Sequence, residues 1–153
     1  MRKIKTSYAE YTVEQYIAKE VCANKGTNST VYKSKLFKMC EERGIETKKS
    51  ATKEELYKLL SENGVSAHEF ALENGIGVGS VVYQNTFNIT HADVKRLERI
   101  GILKVVGWQE YRAFGNYQYA PLYDIIQFAE LTEEQMQELL VKYPKGYRGK
   151  ASK

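Results

Sequence analysis

At five places ahead of an apolar run at helical spacing a Ser or Thr stands three positions before a Gln, Glu or Asp: Thr12…Gln15, Thr52…Glu55, Ser66…Glu69, Thr90…Asp93 and Thr132…Gln135. In such a box the hydroxyl accepts from a backbone N–H of the first helical turn, and the later side chain reaches back to the cap. Five helix starts in so short a chain predict a mainly helical protein. Apolar residues at helical spacing support this. The pattern predicts helices over about 12–23 (Val13, Tyr16, Ile17 and Ala18 inward) and 30–43 (Tyr32, Leu36, Met39, Cys40). Others are predicted over 52–63 (Leu56, Leu59, Leu60), 66–74 (Phe70, Ala71, Leu72), 90–100 and 132–143 (Met136, Leu139, Leu140). Gly44 and Gly64 stop the second and third. Residues 24–28 read as a turn, and residues 145–153 as a basic, mobile tail.

The pattern changes after Gly101. Ile102 to Val106 and Leu122 to Phe128 read as strands, and Phe114-Gly115-Asn116-Tyr117 supplies a two-residue hairpin turn between them. No apolar run approaches the ~20 residues of a membrane span, and no signal core follows the basic Met1-Arg2-Lys3 start. A cytoplasmic protein is therefore expected. Cys22 and Cys40 fall in helical segments and read as buried thiols in a reducing compartment. The net charge of +4 is mild, and residues 1–65 hold 13 basic against 9 acidic side chains. A broad electrostatic sleeve cannot be the whole mechanism if nucleic acid is bound, so local faces must carry it.

Ser80 to Leu103 carries the most informative residues. Tyr83 and Phe87 precede a turn at Asn88, a residue that tolerates left-handed backbone. Thr90 caps the next helix, whose buried side is Ile89, Val94 and Leu97. The run Leu97-Glu-Arg-Ile-Gly-Ile-Leu103 then leads into the hairpin. Residues 66–128 resemble a winged helix-turn-helix, with 66–74 as first helix, 90–100 as recognition helix and 102–128 as wing. The resemblance implies double-stranded DNA as partner, with the recognition helix in the major groove. Thr90, His91, Ala92, Lys95, Arg96 and Arg99 are the expected outward residues of that helix, and Arg112, Asn116 and Gln118 the wing contacts. A second register, His68 to Val81, is also similar to a helix-turn-helix. Its second helix would begin Gly77-Val-Gly79, a poor helix start without a basic residue, so the later register is preferred.

Lys35 to Leu60 is similar to the helix–extended loop–helix modules of the SAP and Rho N-terminal type, through Leu36, Cys40, Gly44, Ile45, Lys53, Leu56, Leu59 and Leu60. Ala51-Thr52 replaces the usual small residue–Gly pair. The resemblance implies nucleic-acid contact through Lys48, Lys49 and Lys53. The alternative is a plain helical hairpin packed on the first helix.

Catalytic chemistry is not evident. Gly75-Ile-Gly-Val-Gly79 lacks the strand and the Lys of a phosphate loop. Cys22, Cys40, His68 and His91 have irregular spacing for zinc, and no Arg/His cluster accompanies the tyrosines as a recombinase would need. The expectation is a mainly α chain with a β-hairpin wing: an N-terminal helical module (1–65), a winged helix-turn-helix (66–129), and a C-terminal helix with a basic tail (130–153). Its expected function is non-enzymatic, without cofactor or metal: DNA binding as a regulator or accessory factor of a bacterial mobile element or phage. The alternative is a protein-interaction or assembly module on the same fold, so protein partners stay open.

Overall fold

All five expected Ser and Thr caps accept from the backbone N–H three residues on, and at Thr12, Thr90 and Thr132 the reciprocal bond completes the box. The computed structural model describes residues 1–6, 8–23 and 31–148. The turn at 24–28, the second helix's start at Thr30 and the tail beyond 148 lie outside the described residues.

The elements run β1 (Ile4–Lys5), β2 (Glu10–Tyr11), α1 (Val13–Cys22), α2 (Lys33–Glu42), α3 (Lys53–Glu62), α4 (Ala67–Asn74), α5 (Ser80–Phe87), α6 (His91–Arg99), β3 (Val105–Ala113), β4 (Asn116–Tyr123), α7 (Ile125–Glu130) and α8 (Glu133–Lys142). The protein is mainly helical, with two antiparallel hairpins among the described residues. The β1–β2 hairpin was not foreseen, because each of its strands is two residues long.

The hairpin strands run 105–113 and 116–123 rather than the expected 102–106 and 122–128. The first hairpin strand begins at Val105 rather than Ile102. The Gly101 N–H bonds to the Glu98 carbonyl, and the N–H groups of Ile102 and Leu103 to the Leu97 carbonyl, so residues 101–103 extend the end of α6. Leu122 to Phe128 is not one strand. It breaks at Asp124, whose carboxylate accepts from the N–H groups of Ile126 and Gln127 and starts α7. Its β-formers Ile125 and Phe128 are buried on that short helix, so tertiary packing overrides their strand propensity.

One continuous buried cluster runs from Ile4 to Tyr143, and both expected domain boundaries fall within it. Helix α1 packs on α3, α4 and α7, while α5 meets β1 and β4. Tyr83, Phe87, Phe128 and Tyr123 make edge and stacked ring contacts at its centre. Arg2 closes the cluster at the N-terminus. Its guanidinium lies 4.5 Å from the Phe87 ring centroid and donates to the Leu131 carbonyl at 2.7 Å.

The hairpin β3–β4 joins the helices by close backbone approach. Val78, between α4 and α5, forms an antiparallel bridge with Tyr123, bonding at 3.0 and 2.8 Å. Gly107 lies against the backbone of Gly75, and Gly77 against that of Leu122 and Tyr123. A Cβ at either Gly77 or Gly107 would sit closer to that backbone than real Cβ atoms come. Gly75 and Gly77 thus seat the hairpin against the helices.

Gly107→Ala should therefore cost about 1–3 kcal/mol or more, read as a lower midpoint in urea unfolding. Leu97→Ala should cost about 2–5 kcal/mol by leaving a cavity, since Leu97 is fully buried on α6.

Candidate nucleic-acid interface

Helix α6 is positioned from both ends. Thr90 and Asp93 form its capping box. Asn88, with φ of 53°, makes the left-handed turn from α5, as its place in the sequence suggested. Val94 and Leu97 are buried, and Ile100 closes the inner face. The Tyr123 hydroxyl donates to Glu98 Oε1 at 2.6 Å, tying the base of the hairpin to the helix. Burial, and then the Glu98 carboxylate, push the Tyr123 phenol well above its ordinary range, so it keeps its proton and the bond persists.

The outer face divides. Thr90, His91 and Ala92 are exposed at the N-terminal end. The His91 ring Nδ1 lies 2.8 Å from Ser80 Oγ, which also receives a bond from Gln84. Lys95 is partly exposed, and its ammonium pairs with Glu98 at 2.9 Å. Arg96 differs from expectation: it is not an outward residue. Its side chain is 9% exposed, pairs with Asp93 at 2.8 Å, and donates from Nε to the Tyr143 carbonyl at 2.9 Å. Arg99 is exposed, yet its guanidinium donates to the carbonyls of Tyr147 and Arg148. The segment after α8 thus lies as a strap along α6. Tyr147 packs edge-on against the buried Tyr143. Between strap and helix an open notch forms, lined by Lys95, Arg99 and Arg148, with Glu98 as its one carboxylate.

The other side of the α5–α6 turn has opposite character. A cleft between Thr86–Asn88 and α8 is lined by Glu133, Glu134 and Glu138. These carboxylates repel phosphate and bound any nucleic-acid surface on that side.

The hairpin extends beyond the core. Burial ends near Ala120, and from Tyr111 to Tyr119 every residue except Ala113 is exposed. Arg112, Asn116 and Gln118 are among them, as expected. Arg112 lies opposite Tyr117, with its guanidinium 5.1 Å from the ring centroid. Sequence reasoning missed how much aromatic surface is open here: Trp108 is 52% exposed, Tyr117 61%, Tyr119 62% and Phe114 fully. The signal was present, because 108–119 lacks the one-sided alternation of a half-buried strand. Phe114 and Gly115, with φ of 53° and 79°, occupy the two central turn positions. Left-handed backbone at a bulky residue costs about 1–3 kcal/mol, and Phe114 gains no burial to offset it.

The expected N-terminal contacts separate. Lys48 and Lys49 are exposed in the loop joining α2 to α3. Lys53 is held instead: its ammonium donates to the Ala23 carbonyl, at the end of α1, at 2.8 Å. Cys40 is buried and Cys22 partly so, and burial raises both thiols. Among the described residues no cluster of metal-ligating side chains occurs, and no helix is long and apolar enough to cross a membrane. Comparison with protein-family models, curated proteins and solved structures finds no match.

Arg96→Ala should destabilise the fold by about 1–3 kcal/mol, by removing the guanidinium that pairs with Asp93 and donates to the Tyr143 carbonyl; thermal unfolding reads this. The Asp93 link is also pH-dependent. Burial opposes ionisation of Asp93, but hydrogen bonds from Thr90 and Arg96 outweigh it and hold the carboxyl below its usual range. A depressed folded pKa stabilises above the unfolded value, about 3.9, and that stability is lost as pH falls through the folded one. The stability gap between wild type and Asp93→Asn should be full at pH 7 and shrink below about pH 4.

Proposed function

We propose that this protein binds double-stranded DNA as a winged helix-turn-helix, laying the N-terminal half of α6 in the major groove beside the β3–β4 hairpin. The observation that carries the reading is the placement of α6. Its inner face is locked into the core, while its capped end offers Thr90, His91, Ala92 and Lys95 to solvent. The order α4, Val78 bridge, α5, α6, hairpin supports it, since the bridge and the Tyr123–Glu98 bond fix the hairpin relative to the helix.

The residues sort by role. Thr90, His91 and Lys95 face base edges, where Lys donates to guanine and a hydroxyl serves either partner. Arg99 with Arg148, and Lys48 with Lys49, contact phosphate and set register. Arg112, Asn116 and Gln118 contact the backbone or minor groove from the wing. Arg96 holds the strap and reads no base. The α2–loop–α3 arrangement suits a SAP-like phosphate contact, and its pairing with a winged helix suits a regulator or accessory factor of a mobile element or phage. No group in this scheme acts as a catalyst.

A second reading, protein docking, is favoured by the exposed hairpin aromatics, a residue type enriched at protein interfaces. Gel shifts of random-sequence duplex at 50 and 200 mM salt separate the two. DNA binding predicts affinity falling steeply with salt, and a log–log slope shallower by about 2 in the Lys48→Ala, Lys49→Ala double variant. Absence of binding at low salt contradicts the DNA reading and favours docking.

A further inference from the structure

Phe114 is an energetic anomaly. It stands at the first central position of a turn with positive φ at both central residues, where Asn, Asp or Gly is preferred. It is fully exposed, so nothing in the fold repays that backbone. Its surroundings are chemically uniform. From Tyr111 to Tyr119 the sequence is Tyr-Arg-Ala-Phe-Gly-Asn-Tyr-Gln-Tyr, with one Arg, two amides and four aromatic rings but no carboxylate. Arg112 packs over Tyr117 directly below the tip. The two strands project this tip about 17 Å beyond Ala120, at ~3.3 Å per residue.

From this geometry we infer that Phe114 is a wedge, entering between adjacent base pairs from the minor groove and kinking the duplex. This rests on the DNA reading above and adds deformation to it. An apolar ring with no internal partner, carried on a stiff two-stranded arm, supplies stacking surface for bases. Arg112, Asn116 and Gln118 supply the cation and the amide donors that suit phosphates and minor-groove acceptors. Glu110, opposite Tyr119 at the base of the arm, is its one carboxylate, and the distal part from Tyr111 to Gln118 has none to repel the phosphate rows on either side. Apolar side chains inserted in this way unstack a step and bend DNA by ~20–90°. The occupant is duplex DNA, and flexible pyrimidine–purine steps are the favoured entry points.

The test uses the full chain and a 30-base-pair duplex with a central TA step, labelled at its ends for energy transfer. Anisotropy reports binding, and transfer efficiency reports bending. The variants are Phe114→Asn and Phe114→Trp. Phe114→Asn suits the left-handed turn, so it should unfold at or above the wild-type temperature. The expected result is a shortened end-to-end distance with wild type and Phe114→Trp. Phe114→Asn should bind about tenfold more weakly, the loss of one stacked base, and leave the distance unchanged. Binding by wild type without shortening, or equal shortening with Phe114→Asn, overturns the wedge while DNA binding stands. If wild type does not bind duplex even at low salt, the DNA reading and the wedge fall together, and the aromatic arm is left to a protein partner.

Discussion

The backbone contact between Gly107 and Gly75, with the Val78–Tyr123 bridge beside it, fixes the hairpin against the helical trio. At both Gly77 and Gly107 the two backbones approach more closely than any side chain permits. Once the strand is seated there, Tyr123 lies in the core against Tyr83 and its hydroxyl reaches Glu98 on α6. The same seat directs β3 and β4 outward, so that their distal halves leave the core together. The relative placement of helix face and projecting arm, on which any functional reading depends, follows from this contact.

Helix α6 has more constraints on its cations than its sequence suggests. Three basic residues, Lys95, Arg96 and Arg99, lie on it, and each is engaged by protein: Lys95 by Glu98, Arg96 by Asp93 and the strap, Arg99 by the strap. These engagements differ in kind. The Lys95–Glu98 pair is partly exposed and three residues apart, an arrangement worth only tenths of a kcal/mol, roughly 0.2–0.5. It yields readily to a phosphate or a base. Arg96 is enclosed, and releasing it would break its pair with Asp93 and its bond to the Tyr143 carbonyl. The usable charge of the helix therefore sits at Lys95 and Arg99, extended by Arg148 from the strap and bounded by the acidic row of α8.

Much of the fold was legible, because its signals are local. Capping boxes act within four residues, and the buried set Val94, Leu97, Phe70 and Leu56 follows from helical spacing. The Asn88 turn follows from what that residue tolerates. What the sequence did not reveal depends on contacts between distant segments. Arg96 looked outward because the segment that encloses it, through the Tyr143 carbonyl, lies 47 residues away, and only its pair with Asp93 is local. Lys53 looked free because its partner is the end of α1, 30 residues earlier. Asp124 ended a strand and began a helix where β-forming residues alone predicted continuation. The candidate site was legible as a position, the N-terminal half of α6, but the strap over its far end and the open aromatic arm came from tertiary structure.

The N-terminal helices α1–α3 contribute side chains to the same buried cluster as α6. The proposed DNA contact involves three regions: the N-terminal half of α6, the distal hairpin and the loop joining α2 to α3. Backbone amide chemical shifts followed by NMR during titration with a short duplex test it most directly. The account predicts perturbations concentrated at 90–95, 112–118 and 47–50, with the acidic face of α8 at 133–138 unmoved. Perturbations centred on α8, or none at saturating duplex, would contradict it.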